Sequence, residues 1–286
     1  MPSLIDIRRR IRSVKNTQQI TKAMKMVSAA KLRRAHDRVV ASRPYGAMLQ
    51  KLLENVAAAA AGDERVAGDP LLRQRPEHRI QLILVTADRG LAGAFNSNVI
   101  KGAQRFIEER RTAQIEIEAV GRKGRDFFRK RNFTLTGDYA GITEKIQYSH
   151  AGEVASKVRE RFAQEEIDAV FIIYNEFKSV MSQQLRVIRI LPVAVPENQD
   201  SIDYIYEQPP QELLGTLLPR YVEVEIYRAM IESAAAQQAA RMTAMDAASS
   251  NAGDVIDRLT LYMNRVRQAS ITREIIEVVS GASALE

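Results

Sequence analysis

The stretch that decides the fold is IRRRIRSVKNTQQITKAMKMVSAAKLRRA, residues 7–35. Its apolar residues recur at steps of three and four, which is the spacing of one face of an α-helix. Ser3 and Asp6 precede this run and predict a loose capping box at its start. The rhythm continues beyond the quoted stretch, so we expect one long helix over residues 3–60, with a kink at Pro44. The apolar positions are Leu4, Ile7, Ile11, Val14, Ile20, Met24, Val27, Leu32, Ala35, Val39, Leu49, Leu52 and Val56.

A second segment, residues 210–280, repeats the helical spacing. Small and polar residues from Ser249 to Gly253 interrupt it, so its continuity there is left open. The apolar positions are Leu214, Leu217, Tyr221, Ile231, Met242, Met245, Ile256, Leu259, Met263, Val266, Ile271, Ile275 and Val278.

The two segments are too long to be wrapped inside a globule. At 1.5 Å per residue they would span roughly 87 and 105 Å, whereas a folded globule of this chain length is only about 40–45 Å across. Their apolar stripes therefore need each other, and we expect an antiparallel coiled coil of the chain ends. Gln18 and Thr21 fall on the expected seam, so the stripe is imperfect.

The middle of the chain, about residues 77–195, has short segments that alternate in type. Strands alternating with helices predict βαβ units and a mostly parallel sheet, as in a Rossmann-like domain. The last two strands are close enough in sequence for an antiparallel hairpin. The predicted strands are 79–88, 115–121, 168–177 and 183–193, and the predicted helices are 97–111, 122–132 and 150–166.

The expected fold class is therefore α/β. A long antiparallel coiled coil of the N- and C-terminal helices accompanies a central Rossmann-like α/β domain with a mostly parallel sheet. The domain bounds that we expect are 1–62 for the N-terminal helix, 77–195 for the central domain and 210–286 for the C-terminal helix.

The loop after the first predicted strand, within LILVTADRGLAGAFNSN (82–98), has the look of a nucleotide-binding loop. A Walker loop needs Lys-Ser/Thr after its last glycine, but Ala94 and Phe95 follow Gly93. A dinucleotide loop needs a third glycine where Asp88 stands. A carboxylate at that position would repel the negative charge of a phosphate. The favoured interpretation is a tight turn into a helix.

In that interpretation Asn96 or Ser97 caps the helix. Nucleotide or NAD binding by an enzyme with coiled-coil arms is the alternative.

The charge of the chain is concentrated near its N-terminus. The net charge is +7, and residues 1–50 carry twelve basic and two acidic side chains. A solvated helix face, an acidic protein partner and nucleic acid are all open interpretations, although the first 44 residues contain no aromatic side chain for stacking on bases.

Composition excludes several classes of site. The chain has no cysteine, which excludes disulfides and cysteine-based zinc sites. The three histidines, His36, His78 and His150, lack ligand spacing, and no catalytic constellation is evident. No stretch reaches the roughly 18–20 apolar residues of a membrane span, and no leader sequence is evident.

Several motifs resemble one family. Residues 7–35 are similar to the N-terminal helix of F-type ATP synthase gamma subunits, and ITREIIEVVSGASA (271–284) is similar to their C-terminal signature. ARMTAMDAASSNAGDVI (240–256), RQASITRE (267–274) and TADRGLAGAFN (86–96) also resemble that family. The resemblance covers essentially the whole chain and points to the bacterial members.

The resemblance implies a rotor shaft with no catalytic residue, cofactor or metal of its own. One such chain per complex would turn inside three alpha and three beta subunits, coupling proton flow to ATP synthesis or hydrolysis. Its central domain would contact the epsilon subunit and the c-subunit ring. The chain would be peripheral on the cytoplasmic side of the cell (inner) membrane, would reach the membrane only through partners and would bind no nucleic acid.

The resemblance also implies two sets of contact residues. Those expected to face the alpha/beta ring are Met24, Lys25, Arg241, Arg267, Gln268, Thr272 and Glu274. Those expected on the side of the c ring and epsilon are Arg43, Tyr45, Tyr204, Tyr206 and Glu207.

Overall fold

The computed structural model describes residues 3–59, 69–194 and 208–283, which form five helices and five strands. The helices are α1 (Leu4–Ala59), α2 (Phe95–Glu109), α3 (Arg122–Arg129), α4 (Tyr148–Ala163) and α5 (Pro210–Ser283). The strands are β1 (Arg79–Val85), β2 (Gln114–Val120), β3 (Leu135–Tyr139), β4 (Ala169–Phe177) and β5 (Gln183–Leu191).

Both long helices form as the periodicity predicts. The capping box at the start of α1 is present, because the Asp6 amide donates to Ser3 Oγ (3.2 Å) and the Ser3 amide donates to the Asp6 carboxylate (3.3 Å). Pro44 lies inside α1, and the helix continues past it. Helix α5 is continuous through Ser249 and Gly253, where the sequence left continuity open, and it extends beyond the predicted end at residue 280.

One sheet organises the central domain, in the order β3-β2-β1-β4-β5. The first four strands are parallel, and β5 pairs antiparallel with β4, which confirms the mostly parallel sheet and the terminal hairpin. The prediction missed β3, because LTGDY is short and contains Gly137. That glycine is required, since a Cβ there would clash with the Glu118 carboxylate.

The two faces of the sheet are packed differently. Leu82, Leu84 and Ile117 pack with Val99 of α2 and Phe128 of α3 in an apolar core on one face. Alternate residues of the same strands point to the opposite face, as strand geometry requires.

That opposite face carries a buried polar network under α4. Glu118 is fully buried and accepts hydrogen bonds from Thr136 Oγ1 (3.0 Å), Gln81 and Lys157. Arg161 of α4 reaches Gln81 Oε1 at 2.8 Å. These hydrogen bonds are directional, so they fix the position of α4 along the sheet, which apolar contact alone would not do.

The chain divides into two units, residues 29–241 and residues 1–28 with 242–286. In the larger unit α5 lies against α1, where Arg43 and Glu232 are 3.8 Å apart. It also lies against α4, where the Tyr148 hydroxyl donates to Glu223 at 2.7 Å. Residues 222–241 of α5 are therefore buried on more than one side.

In the smaller unit α1 and α5 pair antiparallel. Gln18 Nε2 donates to the Ser249 carbonyl at 3.2 Å, and Lys25 bonds to Asp246 at 2.5 Å. The buried and half-buried residues of α1 define the seam of this pair, which steps through Leu4, Ile7, Ile11, Val14, Gln18, Thr21, Met24, Lys25 and Ser28.

The residues observed in the seam differ from the apolar stripe that the sequence predicted. Ile20 and Val27 were counted in the stripe, but they are 60% and 56% exposed. Thr21 and Ser28 are buried instead, so the heptad rhythm is kept by polar and small residues. Ile271, Ile275 and Val278 are likewise exposed rather than in a seam.

Candidate functional site

The loops at the carboxyl ends of the parallel strands are the first candidate site, because open α/β sheets bind their ligands there. The Asp88 carboxylate lies at the centre of these loops. It accepts hydrogen bonds from the amides of Arg122 (3.0 Å), Gly141 (2.7 Å) and Thr143 (3.1 Å). The Thr143 hydroxyl adds a fourth at 2.6 Å. Asp88 thus ties together the loops that follow β1, β2 and β3.

These bonds decide the charge state of the Asp88 carboxyl. Burial raises its pKa, but the bonds from Thr143, Gly141 and Arg122 outweigh burial and hold the pKa below its ordinary value. The side chain is therefore a carboxylate at neutral pH.

The first amides of α3 are not free to bind a phosphate. Its first three amides are all used, by Asp88, by the Ala87 carbonyl (3.1 Å) and by Thr86 Oγ1 (2.9 Å). A helix N-terminus binds phosphate through such amides, and here the chain's own carboxylate stands in the place of the anion.

The predicted cap of α2 is wrong. The N-cap is Ala94, without a side-chain cap, and neither Asn96 nor Ser97 occupies that position. Asn96 Oδ1 turns back to accept from the Ala87 amide (2.9 Å), so it ties the helix to the end of β1 instead. Gly93 adopts a φ of +53°, which supplies the predicted tight turn.

The paired chain ends are the second candidate site, because the resemblance places partner contacts there. Met24 and Lys25 are half-buried at the seam. Lys25 Nζ lies 2.5 Å from Asp246, and the two side chains are 41% and 61% exposed. Sequence reasoning missed Asp246, because identifying it requires the register between the two helices.

The other predicted contacts of the smaller unit lie on an exposed part of α5. Arg267, Gln268, Thr272 and Glu274 are all exposed. The Glu274 carboxylate accepts from Ser270 Oγ at 3.2 Å. Large apolar side chains around them are exposed as well, namely Ile271 (48%), Ile275 (58%), Ile276 (58%) and Val278 (72%).

The structure places the remaining predicted contacts in the larger unit or outside the described residues. Arg43 is half exposed beside Glu232, and Tyr45 is 50% exposed and accepts from Arg220 Nε at 3.4 Å. Arg241 is only 7% exposed. Tyr204, Tyr206 and Glu207 lie outside the described residues.

Neither a metal site nor a membrane span is found within residues 3–59, 69–194 and 208–283. Those ranges hold no group of three His, Cys, Asp or Glu side chains that could bind a metal ion. No helix within them is long and apolar enough to cross a membrane.

Comparison with known proteins gives a consistent result. The family model described as ATP synthase matches residues 3–285. The ATP synthase gamma chain of Solibacter usitatus is 62% identical over 286 residues, covering all of both chains. The gamma chain of Anaeromyxobacter sp. strain Fw109-5 is 48% identical, again over the full length of both.

Solved structures share the fold. A chain of the Tetrahymena thermophila mitochondrial ATP synthase central stalk and c ring has a TM-score of 0.59 at 24% identity, covering 80% of this chain and 99% of that one. A chain of the Euglena gracilis mitochondrial ATP synthase (OSCP, F1 and c ring) has a TM-score of 0.65 at 19% identity, covering 99% and 94%.

Proposed function

Since the chain belongs to the family of ATP synthase gamma chains, we propose that it is the rotor shaft of a bacterial proton-translocating F-type ATP synthase. The observation that carries the proposal is the pairing of the two chain ends, in which Gln18 and Lys25 of α1 bond to Ser249 and Asp246 of α5. Two helices tied in this way resist twisting better than one.

The asymmetry of a single chain explains how rotation acts on its partners. One chain presents different faces to three equivalent alpha/beta pairs, so each pair meets a different surface at any moment. A surface that contacts one state of a partner better than another shifts that partner's equilibrium. Turning the shaft therefore takes each catalytic site through its binding states, and ATP hydrolysis turns the shaft in reverse.

The exposed apolar residues near the end of α5 favour the assignment of a partner that surrounds this part of the helix. Ile271, Ile275, Ile276 and Val278 are each about half exposed or more, and a contiguous exposed apolar surface marks an interaction site. We assign this surface to the ring of three alpha and three beta subunits.

The contact residues follow from these assignments. Arg267, Gln268, Thr272 and Glu274 would meet the ring on the same stretch of α5, and Met24 and Lys25 would meet the beta subunits. Arg241 would meet them only through the small part of its side chain that is exposed. Exposed ion pairs at such an interface contribute on the order of 1 kcal/mol or less, so they can be remade at each step.

The central domain would contact the partners outside the alpha/beta ring. We assign residues 77–195 to contacts with epsilon and the c ring, together with Arg43, Tyr45, Tyr204, Tyr206 and Glu207. Residues 1–62 and 210–286 form the shaft. In this account the chain is a non-catalytic subunit, peripheral on the cytoplasmic side of the cell membrane.

Co-expression with alpha and beta subunits tests the shaft assignment. We expect one copy of this chain to purify with three of each, and we expect deletion of residues 277–286 to weaken that assembly while leaving the urea midpoint of the central domain unchanged. Undiminished co-purification of the deletion variant would contradict the assignment.

Substitution at Met24 tests one contact. Met24→Lys places a second cation beside Lys25 at the proposed beta contact, so protons pumped per ATP should fall in reassembled membranes. Met26→Lys is the matched control, because Met26 is 63% exposed and lies off the seam. Equal pumping by Met24→Lys and the wild type would remove Met24 from the contact set.

A further inference from the structure

A cavity of about 250 Å³ lies within the larger unit, between α1, α5 and the loop that follows β3. We call it the basic cavity. Drug-sized ligands occupy pockets of about 300–1,000 Å³, so this space suits a smaller molecule or ion. Its lining residues are Lys31, Arg34, Ala35, Arg38, Glu144, Lys145, Ile231 and Gln238.

The basic cavity has an excess of positive charge. Four of its lining side chains are cationic and one, Glu144, is acidic. Glu144 is already shared, since Lys31 lies 3.3 Å and Arg89 3.5 Å from its carboxylate oxygens. Among the residues that the structure describes, no carboxylate forms an ion pair with Arg34 or Lys145. The cavity therefore offers cations that an anion can reach.

The cations are held on ordered elements. Lys31, Arg34 and Arg38 recur at steps of three and four on α1, which places them on one face of the helix. Arg38 Nη1 donates to the Ile146 carbonyl at 3.5 Å. Thr143, bound by Asp88, fixes the loop that carries Lys145. The backbone that carries these cations is thus ordered, whereas the side chains of Arg34, Arg38 and Lys145 are exposed.

Arg241 is not one of the lining residues, but it is connected to the basic cavity through Gln238. It is 93% buried, and its Nη2 has no hydrogen-bond partner among the described residues. Its Nη1 donates to Gln238 Oε1 at 3.5 Å, and Gln238 lines the basic cavity. Burial lowers the pKa of Arg241, the charge of Glu144 opposes that effect and the charge of Arg89 adds to it. A buried cation without a paired anion is costly, so an anion nearby would stabilise it.

We propose that the basic cavity binds a phosphate group, carried by inorganic phosphate or by a nucleoside diphosphate. Guanidinium groups match the geometry of phosphate oxygens and bind them through paired, charge-assisted hydrogen bonds. A phosphate held by Arg34 of α1 and Lys145 of the loop would join the helix to the α/β domain. The stiffness of that junction would then depend on the concentration of phosphate or nucleotide. This role goes beyond the shaft function and does not require it.

Equilibrium dialysis of the full-length chain tests the proposal, with inorganic phosphate and ADP as separate ligands at constant ionic strength. We expect saturable binding of one phosphate group per chain. Arg34→Gln should weaken it about tenfold or more, because it removes a charge-assisted hydrogen bond to the phosphate. Arg33→Gln is the matched control, because Arg33 is exposed like Arg34, undergoes the same charge change and does not line the cavity.

A second pair of variants guards against misfolding. Lys145→Gln should weaken binding while Lys130→Gln, an exposed lysine outside the cavity, should not. Binding of phosphate without binding of ADP assigns the inorganic ion, and tighter binding of ADP than of phosphate, with the two competing for one site, assigns the nucleotide. No saturable binding of either ligand overturns the proposal. So does equal weakening by the cavity variants and their controls.

Discussion

Three hydrogen bonds join Asp88 and Thr143: the Thr143 hydroxyl and amide donate to the Asp88 carboxylate at 2.6 and 3.1 Å, and the Asp88 amide donates to the Thr143 hydroxyl at 3.2 Å. The two residues lie on different loops, 55 positions apart in the chain. A nucleotide-binding fold would hold the anion of its ligand near this edge of the sheet. Here the anion is part of the protein and holds the loops together.

Removing this carboxylate should loosen three loops at once. Asp88→Ala leaves the amides of Arg122, Gly141 and Thr143 without their acceptor, and each unsatisfied group costs about 1–3 kcal/mol where water cannot replace the bond. We expect the free energy of unfolding, measured in urea, to fall by at least about 1 kcal/mol. Asp126→Ala is the control, because the Asp126 side chain is 44% exposed. An equal loss of unfolding free energy in both variants would contradict the conclusion that Asp88 holds the three loops together.

The stability contributed by Asp88 should also depend on pH. Its pKa is lowered in the folded chain, so its contribution is present above the ordinary aspartate pKa and is lost as pH falls through the lower folded value. Below about pH 4, the ordinary range of an aspartate pKa, the wild type should therefore lose stability more steeply than Asp88→Asn as the pH falls. Parallel pH profiles of unfolding free energy for the two proteins would contradict the assignment.

Alanine substitutions at two glycines should have opposite effects on stability, one through backbone strain and the other through helix propensity. Gly121 has a φ of +95°, and a Cβ there would lie 2.2 Å from the Thr86 carbonyl oxygen. Gly121→Ala should therefore lower the thermal midpoint, with strain alone costing about 1–3 kcal/mol. Gly152 lies inside α4 with open space around it, so Gly152→Ala should stabilise the fold by about 0.5–1 kcal/mol. A harmless Gly121→Ala would show that this turn can relax.

The ion pair between Lys25 and Asp246 should be weak. Both side chains are more than one third exposed, so solvent and salt screen the interaction. A double-mutant cycle with Lys25→Gln and Asp246→Asn should give a coupling free energy below about 1 kcal/mol that declines in high salt. A larger, salt-independent coupling would mean that this pair, rather than the packing of the other seam residues, holds the chain ends together.

The sequence predicted the long helices and the mostly parallel sheet, because both depend on periodic patterns of several turns or strands. It failed where the pattern is locally ambiguous. Ile20 and Val27 are as apolar as the seam requires, yet Thr21 and Ser28 are buried. The facing side of α5 carries small residues, since Ala252 is buried and Gly253 lies close to Gln18. Polar and small residues of α1 therefore fit against it.

The bonds of the candidate sites were harder to predict than the elements that carry them. Asp88 could be excluded as a phosphate ligand from its charge alone. Its partners Gly141 and Thr143 could not be identified, because they follow β3, the strand that the sequence did not reveal. Asp246 required the register between two helices, which periodicity alone does not fix.

Rotation of this chain relative to the ring tests the central claim most directly. The chain contains no cysteine, so Glu108→Cys, at an exposed position of α2, provides a unique attachment point for a gold bead. With the alpha and beta subunits fixed to a surface, added ATP should turn the bead in one direction with three pauses per turn. A bead that stays still while the same complexes hydrolyse ATP would contradict the account.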